Sequence, residues 1–152
     1  MTRDESYIML ALEQARKAFA ADEVPVGAVV VCDGRLLSTG YNRRESEKNP
    51  LSHAETEAIK AAAAAIGDWR LTDCEIFVTL EPCAMCAGAI LNSRIRRVVF
   101  GAFDPDAGCF GSAADLSLLP FAPDIEVIGG VLSAECEALL SAFFSDRRRR
   151  SF

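Results

Sequence analysis

Asp33-Gly34 is the feature that most restricts the fold open to this chain. The dipeptide separates a β-branched run, Val26 to Cys32, from a second extended segment, Leu36 to Thr39. It supplies the positive φ that a two-residue turn needs, so the two segments should pair as an antiparallel hairpin. Ahead of the hairpin, Ile8, Leu12, Ala15 and Phe19 recur at the spacing of one helix face. Behind it lies a polar loop, Asn42 to Ser52, and then strand and helix alternate. The alanine-rich run from His53 to Ala65 is a helix ended by Gly67, and Glu75 to Leu80 reads as a buried strand. Pro82 opens a third helix, continued by Cys83 to Asn92, because the first turn needs no N–H from it. Arg97 to Phe100 is a strand, Asp104 to Ser112 a loop, and Ile125 to Ile128 a last short strand. Ser133 then caps a helix with Cys136, Leu139, Leu140, Phe143 and Phe144 on its apolar face. A hairpin followed by strand–helix–strand crossovers implies a mixed sheet with helices on both faces. The expectation is an α/β protein, a three-layer α/β/α sandwich with right-handed crossovers.

At 152 residues without repeat or linker, the chain reads as one domain over 1–152, with 147–152 as a basic tail. The N-terminus lacks the apolar core and cleavage site of a secretory signal. The most apolar stretch, Val24 to Val31, is far short of the ~20 residues that span a bilayer. Six cysteines in such a context point to free thiols or metal ligands, and the protein reads as cytoplasmic with no membrane partner. Sixteen basic against 22 acidic side chains give a charge of −6, opposite in sign to most polyanion binders. A single histidine excludes any mechanism that needs two imidazoles.

The histidine nevertheless sits in a telling place. His53-Ala54-Glu55 opens one helix and Pro82-Cys83-Ala84-Met85-Cys86 opens another. Cysteines three apart on a helix share a face, and at its start the dipole favours the thiolate that a metal requires. One imidazole and two thiolates, His53, Cys83 and Cys86, suit tetrahedral Zn²⁺ and leave a fourth position for water, as in catalytic sites. Zinc lowers the pKa of such a water to about 7 in favourable cases. Glu55 is placed to take its proton and pass it to a ring nitrogen and then to a departing amine, which describes hydrolytic deamination. A C-x-x-C alone is often two buried cysteines, but here both motifs open helices and a strand precedes the second. Cys32, Cys74 and Cys136 read as small core residues, whereas Cys109, in a glycine-flanked loop, is placed for exposure.

The paired motifs are the zinc deaminase signature. Together with Val24-Pro25-Val26-Gly27-Ala28-Val29, Gly40-Tyr41-Asn42-Arg43 and Thr79-Leu80-Glu81 before Pro82, they resemble the bacterial tRNA-specific adenosine deaminase family. Ser93-Arg94-Ile95, Arg97 to Ala102, Leu139-Leu140-Ser141 and Phe143-Phe144 extend the resemblance over nearly the whole chain. It implies a five-stranded cytidine-deaminase-like fold, a homodimer, and conversion of adenosine to inosine at the wobble position of a tRNA anticodon loop. It implies one zinc ion held by His53, Cys83 and Cys86, proton transfer by Glu55, and hydrogen bonding of the target base by Asn42. The chain departs from the family pattern at Asp106-Ala107-Gly108, where Lys-Thr-Gly is usual, and at Ala122-Pro123, where Asn-His is usual.

Ten of the sixteen basic residues fall in three segments. They are Arg43, Arg44 and Lys48; Arg94, Arg96 and Arg97; and Arg147, Arg148, Arg149 and Arg150. A solvated helix terminus accounts for part of the last cluster. The functional expectation is an RNA-contacting edge built from Arg43, Arg44, Arg94 and Arg147–Arg150, beside a pocket that takes a splayed-out base. Two rivals stay open at this point: a deaminase of a free nucleobase or nucleoside, and a zinc-stabilised interaction module without catalysis.

Overall fold

A computed structural model describes residues 1–150 of the chain. The chain runs α1 (Arg3–Ala20), β1 (Gly27–Cys32), β2 (Arg35–Tyr41), α2 (Arg44–Glu47), α3 (Ala54–Ile66) and β3 (Cys74–Leu80). It continues through α4 (Ala84–Asn92), β4 (Arg97–Ala102), a 3₁₀ turn (Leu116–Leu118), β5 (Glu126–Ile128) and α5 (Ser133–Arg150). The five strands form one sheet in the order β2-β1-β3-β4-β5. β1 is antiparallel to both β2 and β3, whereas β3–β4 and β4–β5 are parallel. The mixed three-layer sandwich expected from the sequence is therefore present.

Alternation along the strands sorts side chains into two cores. Ala28, Val30, Ile76, Val78, Val98 and Phe100 pack with Ala54, Ala58 and Ala62 of α3 and Ala87, Ile90 and Leu91 of α4. Val29, Val31, Phe77 and Val99 pack on the other face with Ile8, Ala11 and Leu12 of α1 and Cys136 of α5. The hairpin turn carries φ of 50° at Asp33 and 75° at Gly34, both in the region the dipeptide was expected to supply. Gly40 on β2 allows α3 to approach closely, since a Cβ there would lie 2.5 Å from the Ala54 carbonyl oxygen. Small residues on one face of α3 and the bare backbone of Gly40 thus bring the helix start, with His53 and Glu55, down onto the sheet.

Several local expectations are corrected. The segment expected as loop from Asn42 to Ser52 contains α2, because the Glu23 carboxylate accepts hydrogen bonds from the Glu45 and Ser46 amides. Pro82 precedes α4 without entering it; Cys83, in extended conformation, is the cap. Ser133 is the first residue within α5, because the Leu132 carbonyl already accepts the Cys136 amide at 3.1 Å. Arg147–Arg150 form the last turn of α5 instead of a tail, and the expectation for 151–152 lies outside the described residues. Cys109 is buried, its amide donating to the Pro82 carbonyl and its thiol to that of Ala107. On α5, Cys136 and Phe143 are buried and Phe144 is exposed.

Candidate metal centre and active-site cavity

The two helices that start at the C-terminal ends of their preceding segments converge on one point. His53 caps α3 and Cys83 caps α4, so both ligand candidates sit in extended backbone at a helix N-terminus, with Cys86 one turn further along α4. His53 is braced by its own amide, which donates to the Thr56 hydroxyl at 3.0 Å. Its Nδ1 lies 3.7 Å from Cys83 Sγ and 3.5 Å from Cys86 Sγ. Tetrahedral zinc with metal–nitrogen bonds near 2.0 Å and metal–sulfur bonds near 2.3 Å separates N from S by about 3.6 Å. The donor set therefore fits zinc in both chemistry and spacing. Among the described residues these three are the group of side chains close enough to hold a metal ion, their ligand atoms all within 4.8 Å of one another.

Hydrogen bonding from Cys86, then from His53, pulls the Cys83 thiol down to about 3. The bond to Cys83 and then burial push the Cys86 thiol up. The bond to Cys83 likewise holds His53 above its usual value. Glu55, in the first turn of α3, is 4% exposed, and burial raises its carboxyl to about 7. A carboxyl poised near neutrality can both accept and donate a proton.

A cavity of about 220 Å³ opens over these groups. It is lined by Val24, Val26, Asn42, Arg44, His53, Ala54, Glu55, Leu80, Glu81, Cys83, Asp104 and Ala107. Asn42 is 8% exposed and held at both ends of its amide. Nδ2 donates to the Val24 carbonyl at 3.2 Å, and Oδ1 accepts the Arg44 amide at 3.2 Å. It is thus both the turn residue its chemistry predicts and a fixed part of the cavity wall. A second cavity, of about 350 Å³, shares Val24, Asn42 and Arg44 with the first. Its further walls include Phe143, Phe144, Arg147 and Arg148.

The remaining arginines are distributed unevenly. Arg43 pairs with Glu47 at 3.2 Å and lies over the Tyr41 ring, while Arg147 and Arg150 both reach Asp22. Arg149 lines neither cavity. Arg94 is placed elsewhere on the chain's surface, in a groove with Leu116, Leu119, Phe121, Ala122 and Pro123. Arg97 is taken up by Asp4, Glu75 and Glu126, and Arg96 also reaches Glu75.

Two acidic residues that sequence reasoning passed over frame the site. Glu23, buried, accepts from the Glu45 and Ser46 amides and from the Ser46 hydroxyl, and so fixes α2 and with it Arg44. Glu81, buried, accepts from the amides of Asp104, Phe110 and Ser112 and from the Ser112 hydroxyl. For both, burial works to raise the pKa, but these hydrogen bonds outweigh it and hold the carboxyl below its usual range. The available signal in the sequence was an acid at the end of an apolar run, Thr79-Leu80-Glu81, with no basic neighbour to pair it.

Comparisons with known proteins agree with this geometry. The zinc-binding region of cytidine and deoxycytidylate deaminases matches residues 1–102. A tRNA-specific adenosine deaminase of Bacillus subtilis is 46% identical over 151 residues, covering 99% of this chain and 94% of that protein. A solved structure from work on A-to-I editing by tRNA:A34 deaminases superposes with a TM-score of 0.82 at 38% identity, covering 88% of this chain and 98% of the other. The guanine deaminase of Nitrosomonas europaea is more distant, at 27% identity and a TM-score of 0.78 over 94% of this chain and 85% of its own. With the ligand triad inside the matched region and the likeness running end to end, the chain belongs to the zinc-binding cytidine and deoxycytidylate deaminase family, in the group of the tRNA-specific adenosine deaminases.

Proposed function

We propose that this protein hydrolytically deaminates adenosine to inosine at the wobble position of a tRNA anticodon loop. The observation that carries the reading is the triad of His53, Cys83 and Cys86 at zinc spacing, of which His53 and Cys83 line a cavity that buried Glu55 also lines. Zinc held there supplies Lewis acidity that makes water a nucleophile near neutral pH. Glu55 accepts a proton from that water and delivers it to the purine ring nitrogen beside the attacked carbon. It then takes the remaining proton of the added hydroxyl and gives it to the amine, which leaves as ammonia as the carbon–oxygen double bond forms. Asn42 holds the base, its amide already oriented by Val24 and Arg44.

The substrate assignment rests on the relatives: 46% identity to a tRNA-specific adenosine deaminase against 27% to a guanine deaminase. The second cavity supports it, because Arg44, Arg147 and Arg148 with exposed Phe144 suit a neighbouring nucleotide, by phosphate pairing and base stacking. Arg43, Arg149 and Arg150 would add to the same basic edge. Arg94 lines neither of these two cavities and so adds nothing to this edge within one chain. A homodimer is consistent with the exposed Leu118 and Phe121 beside the Arg94 groove. No helix among the described residues is long and apolar enough to cross a membrane, which is compatible with a cytoplasmic site of action.

The free-base reading keeps one observation in its favour, the structural likeness to guanine deaminase. One experiment separates the two. The zinc-loaded protein is given an anticodon stem-loop with adenosine at the wobble position and, in parallel, free bases and nucleosides. Inosine in the RNA is the expected result; ammonia from small molecules alone overturns the substrate assignment, and no product from either overturns the enzyme.

A further inference from the structure

Glu81 stands between the end of β3 and the proline that precedes the Cys83 ligand, and the deamination scheme makes no use of it. Its side chain is 2% exposed. Oε1 accepts the Asp104 amide at 3.1 Å and the Ser112 hydroxyl; Oε2 accepts the Phe110 and Ser112 amides, each at 3.1 Å. Every donor comes from one segment, 104–112, which belongs to no helix or strand. The segment closes onto the carboxylate so tightly that a Cβ on Gly108 would lie 2.3 Å from Glu81 Cδ. It is tied again one residue further along, where the Cys109 amide donates to the Pro82 carbonyl at 2.8 Å. The same segment supplies Asp104 and Ala107 to the cavity wall.

We propose that Glu81 is a positioning residue for substrate: its carboxylate fixes the 104–112 segment as a preformed wall of the cavity, in register with the Cys83 ligand. The proposal rests on the deaminase reading above. The segment's own backbone order is limited to local turns, such as the Gly108 amide on the Asp104 carbonyl, and one bridge between Phe110 and Asp115. Without Glu81 more of it has to be ordered when substrate enters, which lowers affinity. Four hydrogen bonds to a buried carboxylate remove the cost in advance, and both oxygens must accept for the arrangement to hold. Glutamine has the same shape but turns an NH₂ group toward two of the donors. The proposal therefore concerns binding of the target nucleoside and leaves the chemical step to Glu55 and the metal.

The test uses the full zinc-loaded chain with three variants: Glu81→Gln, Ser112→Ala and the pair together. Steady-state deamination of the anticodon stem-loop, zinc content, and hydrogen exchange at the Asp104, Phe110 and Ser112 amides are measured on each. Glu81→Gln should raise KM about tenfold with kcat within about twofold, as expected for disturbed charge-assisted hydrogen bonds. It should keep one zinc per chain and lose exchange protection at the three amides. Ser112→Ala should move KM the same way by less, and the pair should be no worse than Glu81→Gln alone. An unchanged KM in both single variants overturns the proposal, as does joint loss of zinc and kcat at unchanged KM. Should Glu81→Gln fail to fold, an unchanged KM in Ser112→Ala overturns it. A wild-type chain inactive on the RNA defeats the deaminase reading instead; unaltered amide protection in Glu81→Gln would still defeat the clamp separately.

Discussion

Replacing Glu55 by glutamine should act with opposite sign on turnover and on the stability of the zinc-stripped protein. Burial raises the Glu55 carboxyl from 4.5 to about 7 in the folded chain. At about 1.36 kcal/mol per pH unit, that displacement corresponds to about 3 kcal/mol. A carboxyl with a raised folded pKa binds its proton more tightly folded than unfolded. The Glu55 contribution to wild-type stability is therefore greatest below pH ~4.5, falls as pH rises toward 7, and is flat beyond. Glutamine has no such proton, so the metal-free variant should match wild type at pH 4 and exceed it by up to about 3 kcal/mol at pH 8. Turnover of the zinc-loaded variant should fall by about 10²–10⁴, the usual value of a positioned proton donor and acceptor, or roughly 3–5 kcal/mol of barrier. Urea denaturation in chelator at the two pH values measures the first effect, and inosine formation under single-turnover conditions measures the second. A metal-free variant no more stable than wild type at pH 8 would refute the argument that burial sets the Glu55 carboxyl. Turnover within tenfold of wild type would refute its role in proton transfer.

Three further outcomes follow from the geometry. Gly40→Ala places a methyl 2.5 Å from the Ala54 carbonyl oxygen and 2.7 Å from the Ala58 amide, so α3 must shift; a loss of about 1–3 kcal/mol in denaturant titration, with weaker zinc retention, is expected. Hydrogen bonding to Arg97 depresses Asp4, and bonds from Arg3 and Arg97 depress Glu75 against the opposing effect of burial. Their contribution is complete above the unfolded carboxyl range, about pH 4, and is lost as pH falls through the lower folded values. Thermal melts at pH 7 and 3 should show this acid loss shrinking in Arg97→Met, and an undiminished loss would rule the cluster out as its source. Neutralising Arg147–Arg150 should weaken stem-loop binding and flatten log Kd against log salt by about 0.7 per lost phosphate contact, whereas an unchanged slope would remove these arginines from the RNA edge.

The fold was legible where local chemistry and periodicity coincide. Asp33-Gly34 fixed the turn, Gly67 ended α3 with φ of 72°, and alternation along β1, from Ala28 to Val31, sorted residues between two cores. Expectations failed where a distant partner decides. Nothing between Asn42 and Ser52 announces α2, because the acceptor for its first amides is Glu23, more than twenty residues earlier. Cys109 looks exposed among glycines, yet the loop folds inward around Glu81. Arg96 and Arg97 belong to one of the three basic segments of the sequence, but Glu75 lies beside Arg97 in the parallel register and takes both.

The site divides along the same line. The metal ligands were readable because each motif sets its own helix start, and two helix starts packed on one face of the sheet must meet: α4 follows β3 directly, while Gly40 lets α3 descend on β2. Short-range spacing then fixes which side chains face one another. The walls are of a different kind. They come from segments with no periodicity: Asn42 donates to the Val24 carbonyl and accepts the Arg44 amide, while buried Glu23 accepts the Glu45 amide and buried Glu81 the Asp104 amide. Such a residue carries no motif of its own, since its partners are backbone amides that any sequence provides. The metal ligands are therefore encoded in local motifs, whereas the shape of the cavity walls depends on hydrogen bonds made by Glu23, Asn42 and Glu81. The departures at Asp106-Ala107-Gly108 illustrate the consequence. Ala107 lines the cavity, and Gly108 is required by the Glu81 contact, so substitutions in this segment alter the wall while leaving the zinc triad untouched.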